Sequence, residues 1–363
     1  MKKYSYLLLM LLSVFSCATS NMEKLIIEGY DKNINEENSP QSSFIKGIEV
    51  IPLKSRDNNA ILSNPEKVVL YDNHFYIMDN NKILCYNING DFIRFIGEKG
   101  HGHGEYINLA SFVVCNDTIK LLDSFKNTLL AYSLQGDFLY EKKAPEGVLS
   151  NVKDAVYEEN NQFFMSNYIY NEQNDVYTRW DTSSNEVSIV ANAKVQTKGA
   201  KEFVGAHSFC MYGNNIRYVL PFSDMIMSTK DSIMQFNTSR KVLKDDELRK
   251  ILDFSIVSYA NHSENFTGFC NIFETHNYLL LTFFNLEYTV VDKRSYECFR
   301  YPYRINEKGK DFPLLNILSS DKETLIGIVN WEEFQSLEGK IKNYREDYKK
   351  LNCDYAIIMY HTK

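Results

Sequence analysis

Proline is scarce, with seven in 363 residues, and no low-complexity run accompanies it. That scarcity argues against long disordered segments. Apolar runs are short as well: residues 6–15 form the longest one, below the ~20 helical residues that span a bilayer. No Gly-x-Ser-x-Gly elbow, phosphate loop, His-Glu-x-x-His helix or dinucleotide fingerprint is present, so no motif directs the chain to an enzyme class. Positive charge is in deficit, 40 Lys and Arg against 47 Asp and Glu. An acidic chain has no general attraction to nucleic acid, and no nucleic-acid partner is expected. Closely paired cysteines are also missing; no metal and no other cofactor is expected.

What the chain does have begins at its first residues. Lys2 and Lys3 precede the apolar run, which ends at Ser16-Cys17, and the chain then turns polar. This is an export signal. Val14-Phe15-Ser16-Cys17 resembles a bacterial lipoprotein box, in which the cysteine is diacylated and becomes the new first residue; Phe15 is bulkier than the box prefers. The alternative is an ordinary secretory signal cut a little further on. The expected organisation is a signal peptide over 1–16, lipidated Cys17 with a flexible tether over 17–46, and one folded domain over 47–363. Two or three acyl chains exceed the threshold for marginal membrane binding, so such an anchor holds firmly. Removing 1–16 takes away two lysines and no acid, moving the net charge from −7 to −9.

Six cysteines follow Cys17, at 85, 115, 210, 270, 298 and 353. An even count in an exported chain fits disulfides. All but Cys353 lie in apolar strand-like runs, which favours buried thiols acting as small apolar residues.

The folded part contains one strand pair twice. Residues 83–94 and 129–140 each alternate apolar and polar, turn at Asn89-Gly90-Asp91 or Gln135-Gly136-Asp137, and resume with Phe. Gly90 and Gly136 stand 46 positions apart, close to the roughly 40–45 residues of a four-stranded propeller blade. Aromatics at 14% favour strands too. Similar four-strand sets begin near 68, 111, 152, 207, 268 and 314, which predicts an all-β, six-bladed β-propeller. The last set supplies three strands, the final one at 354–360, and one strand at 48–53 is left over at the other end. Pairing these two closes the ring and removes an exposed edge. Two short helical insertions are expected, over 240–254 and 331–351, because Leu243, Leu248, Ile251 and Leu252, and then Trp331, Phe334, Leu337 and Ile341, recur at helical steps.

Between the first two blades stands Gly97-Glu98-Lys99-Gly100-His101-Gly102-His103-Gly104-Glu105-Tyr106. It resembles the Gly-x-x-Gly-x-Gly-Pro-Gly-Glu-Tyr signature of six-bladed β-propeller lipoproteins of Bacteroides-type bacteria, with His103 in the place of proline. Ile51-Pro52-Leu53, 217–224 and 231–236 extend the resemblance, which runs from about 48 to the C-terminus and is NHL-repeat-like. It implies a fold and an address, the cell envelope, as an outer-membrane lipoprotein. Residues 18–23 lack an acidic export run, which favours the periplasmic side over the cell surface. The family carries no agreed activity.

Propellers usually bind ligands where the connections from outer to next inner strands gather around the axis. By that fold-level analogy the candidate ligand-binding residues are His101, His103, Glu105, Tyr106 and His207. His101, His103 and Glu105 also have metal-ligand chemistry, but the intervening glycines read better as hinges between blades. The expected function is a non-catalytic binding module for a glycan, a peptide or an envelope protein, in a monomeric chain. The alternative is a lyase or hydrolase working on polymers through the axial funnel. A third reading makes the 331–351 helix a docking surface within an envelope assembly.

Overall fold

Asn and Asp set the geometry of the hairpins. Asp72-Asn73, Asn80-Asn81, Asn116-Asp117 and Asn160-Asn161 all adopt positive φ at consecutive positions, as a two-residue type I′ turn requires of both central residues. On either side of these turns the apolar residues that the sequence alternates fall into step. The computed structural model describes residues 23–32, 44–54, 60–168, 175–192, 205–220, 222–244, 246–247, 264–266, 268–283, 287–302, 314, 316–335 and 353–363. The expected signal peptide, Cys17, most of the expected 240–254 insertion and the rest of the helix expected over 331–351 lie outside them.

Six sheets are arranged as a six-bladed β-propeller. Blade one comprises Pro65–Tyr71, His74–Asp79, Lys82–Asn87 and Phe92–Phe95, in that order from the axis to the rim. Blades two to five repeat the pattern, their inner strands being Leu109–Cys115, Val152–Glu158, Phe209–Tyr212 and Asn271–Glu274. Blade six takes Ile317–Asp321, Thr324–Asn330 and Tyr355–Thr362 from the end of the described chain, and its outer strand, Ile45–Pro52, from near the start. That outer strand runs antiparallel to its neighbour, with Ile48 opposite Tyr360 and Pro52 opposite Ala356.

The core is divided in the same way. Six apolar clusters lie one at each junction between neighbouring blades, from the large blade five–six cluster around Tyr288, Trp331 and Tyr360 to the small blade three–four cluster around Phe164, Tyr177 and Phe209. Burial between blades rather than in one centre leaves the axis open.

Two expectations change here. The stretch expected as free tether is in part structured: Lys24–Ile27 is a strand that runs parallel to Ile233–Phe236 on the rim of blade four. Glu28 continues it onto blade five through Glu28 N to Tyr296 O and Cys298 N to Glu28 O, both 2.8 Å. Ile27 and Tyr30 are buried, and the Tyr30 ring sits among Phe236, Phe266 and Phe269. This segment covers a rim edge that would otherwise offer unpaired backbone groups. The docking stripe on the second insertion is likewise spoken for at its start. Trp331 and Phe334, in the helix Trp331–Gln335, stack at 4.7 Å and are buried in the blade five–six core.

Candidate functional site

Each blade is threaded from axis to rim and the next begins again at the axis, so all inner strands start at the same face. Lys67, Ser111, Asp154 and His207 stand within two residues of those starts. Lys67, Asp154 and His207 line an axial cavity of about 230 Å³ whose walls include Phe112, Phe209 and Ile272. The register of blade three shifts between Val152 and Asp154, an irregularity of the kind that re-aims a side chain.

Asp154 is held firmly. Its Oδ1 accepts from Lys67 Nζ at 2.6 Å, Ser111 Oγ at 2.8 Å and the Ala155 amide at 2.8 Å. Lys67 also donates to the Ala155 carbonyl at 2.8 Å. Both charged residues are buried, so this is a desolvated ion pair whose hydrogen bonds compensate its loss of water. It ties the inner strands of blades one, two and three to one another.

His207 is placed by its backbone. Its amide donates to Asn271 Oδ1 at 3.0 Å, and its carbonyl accepts from the Ile272 amide at 2.8 Å, which fixes blade four against blade five. The side chain is 9% exposed, and its Nε2 is buried without a hydrogen-bond partner. Burial pulls its pKa down to about 4; the Asp154 carboxylate opposes that shift, and the Lys67 and Lys153 ammonium groups add to it. The imidazole is therefore neutral at neutral pH. Ser208 Oγ, next in sequence, and Ser166 Oγ, directly across the ladder from Asp154, are also buried without partners, as is Thr289 Oγ1 on blade five. Lys153 lies with its ammonium 5.2 Å from the Tyr168 ring centre. Burial lowers its pKa, with Cys270 and Asp154 opposing. A buried polar atom with no partner calls for a water, an ion or a ligand atom.

The other predicted site residues lie elsewhere. His101 is exposed. His103 turns outward, with Nδ1 at 3.3 Å from Glu141 Oε1 and its ring edge-on to Phe138 at 4.9 Å, both on the outer strand of blade two. Glu105 closes its own loop by accepting from the Gly102 amide at 2.7 Å. Tyr106 is buried in the blade one–two core. Gly104 has φ +73°, and a Cβ there would lie 2.9 Å from the Phe138 ring; its carbonyl accepts from Tyr132 Oη at 2.6 Å. The Gly-Glu-Tyr loop is thus a packed joint between blades, and the structure does not bring it together with His207. Among the described residues no group of three or more His, Cys, Asp or Glu is placed to hold a metal ion. Sequence reasoning missed Lys67, Ser111 and Asp154. The available signal was a charge at a buried phase, as in Val152-Lys153-Asp154-Ala155.

A second charged cluster lies near the opposite end of the inner strands, between blades four and five. Glu274 Oε1 accepts from Lys293 Nζ at 2.6 Å and Arg217 Nε at 3.2 Å, and Arg217 also pairs with Asp231 at 3.0 Å. The six cysteines from Cys85 to Cys353 are free thiols, and burial pushes Cys85 up to about 11 and Cys298 to about 12.

The ring of six blades makes this chain a six-bladed β-propeller protein. More narrowly, it belongs to the family defined by a domain of unknown function, DUF4934, which matches residues 26–354. A Bacteroides fragilis protein assigned as exported has a similar structure, with TM-score 0.70 at 17% identity over 94% of this chain and 99% of that one. A member of the DUF4221 family from Bacteroides vulgatus is similar at TM-score 0.53 and 11% identity, over 88% and 97% of the two chains. These likenesses concern the fold. No curated protein matches the sequence.

Proposed function

We propose that the protein is an exported binding module, anchored through a lipid on Cys17 at the periplasmic face of the outer membrane, whose axial mouth receives part of a glycan, a peptide or an envelope protein. The export signal, and the likeness to a relative assigned as exported, support the address. One observation carries the site: His207 Nε2 is buried, unpartnered and set in the wall of the axial cavity. A rigid ring that leaves such an atom in a cavity is pre-organised to pair it with a ligand atom. Asp154 is the one carboxylate among the cavity's lining residues, and its Oδ1 already takes three donors. That arrangement favours recognition over acid–base chemistry.

The test is a glycan and peptide array probed with the chain from residue 18 onward, alongside its His207→Phe, His101→Ala and Tyr106→Phe variants. The reading predicts a ligand lost in His207→Phe and kept in the other two. A ligand that binds all four proteins equally refutes the axial site.

A further inference from the structure

Charge balance in the wall of the axial cavity limits what can enter it. Among the described residues that line the cavity, Lys67 and Asp154 alone carry formal charge, and they cancel at 2.6 Å. His207, also in the wall, is neutral. Most of the remaining wall is apolar, with Val68, Phe112, Phe209, Ile272 and Leu318 among its members. A charged group placed there loses its water and gains no unpaired opposite charge in the wall, a cost that a neutral group avoids. The volume of about 230 Å³ exceeds the ~150 Å³ of an apolar cavity that takes one benzene molecule. It is below the ~300–1,000 Å³ of sites for drug-sized ligands. One substituted ring is the size that fits. The polar atom this wall leaves unmet is His207 Nε2. A neutral imidazole nitrogen either donates or accepts, according to its tautomer. A hydroxyl pairs with both forms, whereas an ammonium needs the lone pair and a carboxylate needs the N–H.

We propose that the axial mouth takes one uncharged, ring-sized apolar group ending in a hydroxyl, the chemistry of a phenol. The hydroxyl pairs with His207 Nε2, and the ring lies against Phe112 and Phe209. A sugar ring of the same size brings several hydroxyls, and most of them would be buried against apolar side chains with no partner. Of the ligand classes considered above, this chemistry selects a peptide or envelope protein that presents a tyrosine side chain; a free phenol is the other source of the same group.

This assignment rests on the axial-site reading above and is tested separately from it. Calorimetry on the chain from residue 18 onward compares p-cresol with toluene, benzylamine, benzoate and methyl glucoside, in wild type and in His207→Phe and His101→Ala. In wild type p-cresol binds at least tenfold tighter than each of the other four. His207→Phe removes the advantage over toluene while toluene itself still binds, which shows the cavity intact, and His101→Ala changes nothing. In parallel, a ring-nitrogen NMR resonance of His207 shifts when p-cresol is added and stays in place with toluene. A short tyrosine peptide that binds more tightly than p-cresol assigns the source to a protein chain; the reverse order assigns it to a free phenol. Three results overturn the assignment: equal affinity for p-cresol and its charged analogues, an advantage over toluene that survives His207→Phe, or no binding of p-cresol. Should an array ligand need His207 while p-cresol does not bind, the hydroxyl assignment falls and the axial site stands.

Discussion

Lys67 and Asp154 meet at 2.6 Å across 87 positions of sequence, joining blade one to blade three at the mouth of the axial channel. The pair is buried, and Ser111 of blade two bonds to both members. Removing one partner of such a pair strands a charge in a low-dielectric site. Lys67→Met or Asp154→Asn should each cost about 3–5 kcal/mol. The Lys67→Met/Asp154→Asn double variant should cost less than the sum of its parts. Urea unfolding of the four proteins measures this coupling.

Acid stability follows from His207, whose folded-state pKa is depressed to about 4 from 6.5. Between those values the unfolded chain takes up a proton that the folded chain refuses. Stability is therefore unaffected by this group above about pH 7 and falls as pH drops through the window, by up to about 3 kcal/mol. His207→Gln should flatten the decline between pH 6.5 and 4. A parallel decline in both proteins would assign the loss to other groups.

The N-terminal strand supports the rim of the ring. Tyr30→Ala empties a site among Phe236, Phe266 and Phe269 and should cost about 3–5 kcal/mol. Deleting 23–32 also bares the edge of Ile233–Phe236, and aggregation should rise with it. Light scattering during thermal unfolding distinguishes the deletion from the point variant.

The Gly-Glu-Tyr loop should be a stability element. Gly104→Ala places a Cβ against the Phe138 ring at positive φ, costing at least about 1–2 kcal/mol. Ligand affinity of the folded protein should not change. A loss of affinity with stability intact would return the loop to the binding site.

The lipid proposal is tested at Cys17. Cys17→Ser should release the chain from the membrane fraction and abolish palmitate labelling. Labelling that persists would point to an acyl site elsewhere.

The blade plan was legible because its signals are local. Asn87 Oδ1 accepts from the Asn89 and Asp91 amides, and Ser133 Oγ from those of Gln135 and Asp137, so the repeated polar-Gly-Asp turn is a chemical motif within five residues. Period-two alternation made the strands readable, even in blade three. The rim strand at Lys24–Ile27 was not readable, since four residues without alternation say nothing about a parallel partner more than two hundred positions away. The analogy to other propellers named both His207, which lines the axial cavity, and the Gly-rich loop, whose His103 lies against the outer strand of blade two. Lys67 and Asp154 carry no mutual signal, because ring closure alone makes them neighbours.

The proposed function places ligand binding at the axial mouth and not on the loops around it. A crystal structure of the mature chain with its tightest array ligand is the decisive measurement. Ligand density is expected inside the ring, within hydrogen-bonding distance of His207 Nε2. Density against the 97–106 loop or on the outer strands, with the axial cavity holding only water, would contradict it.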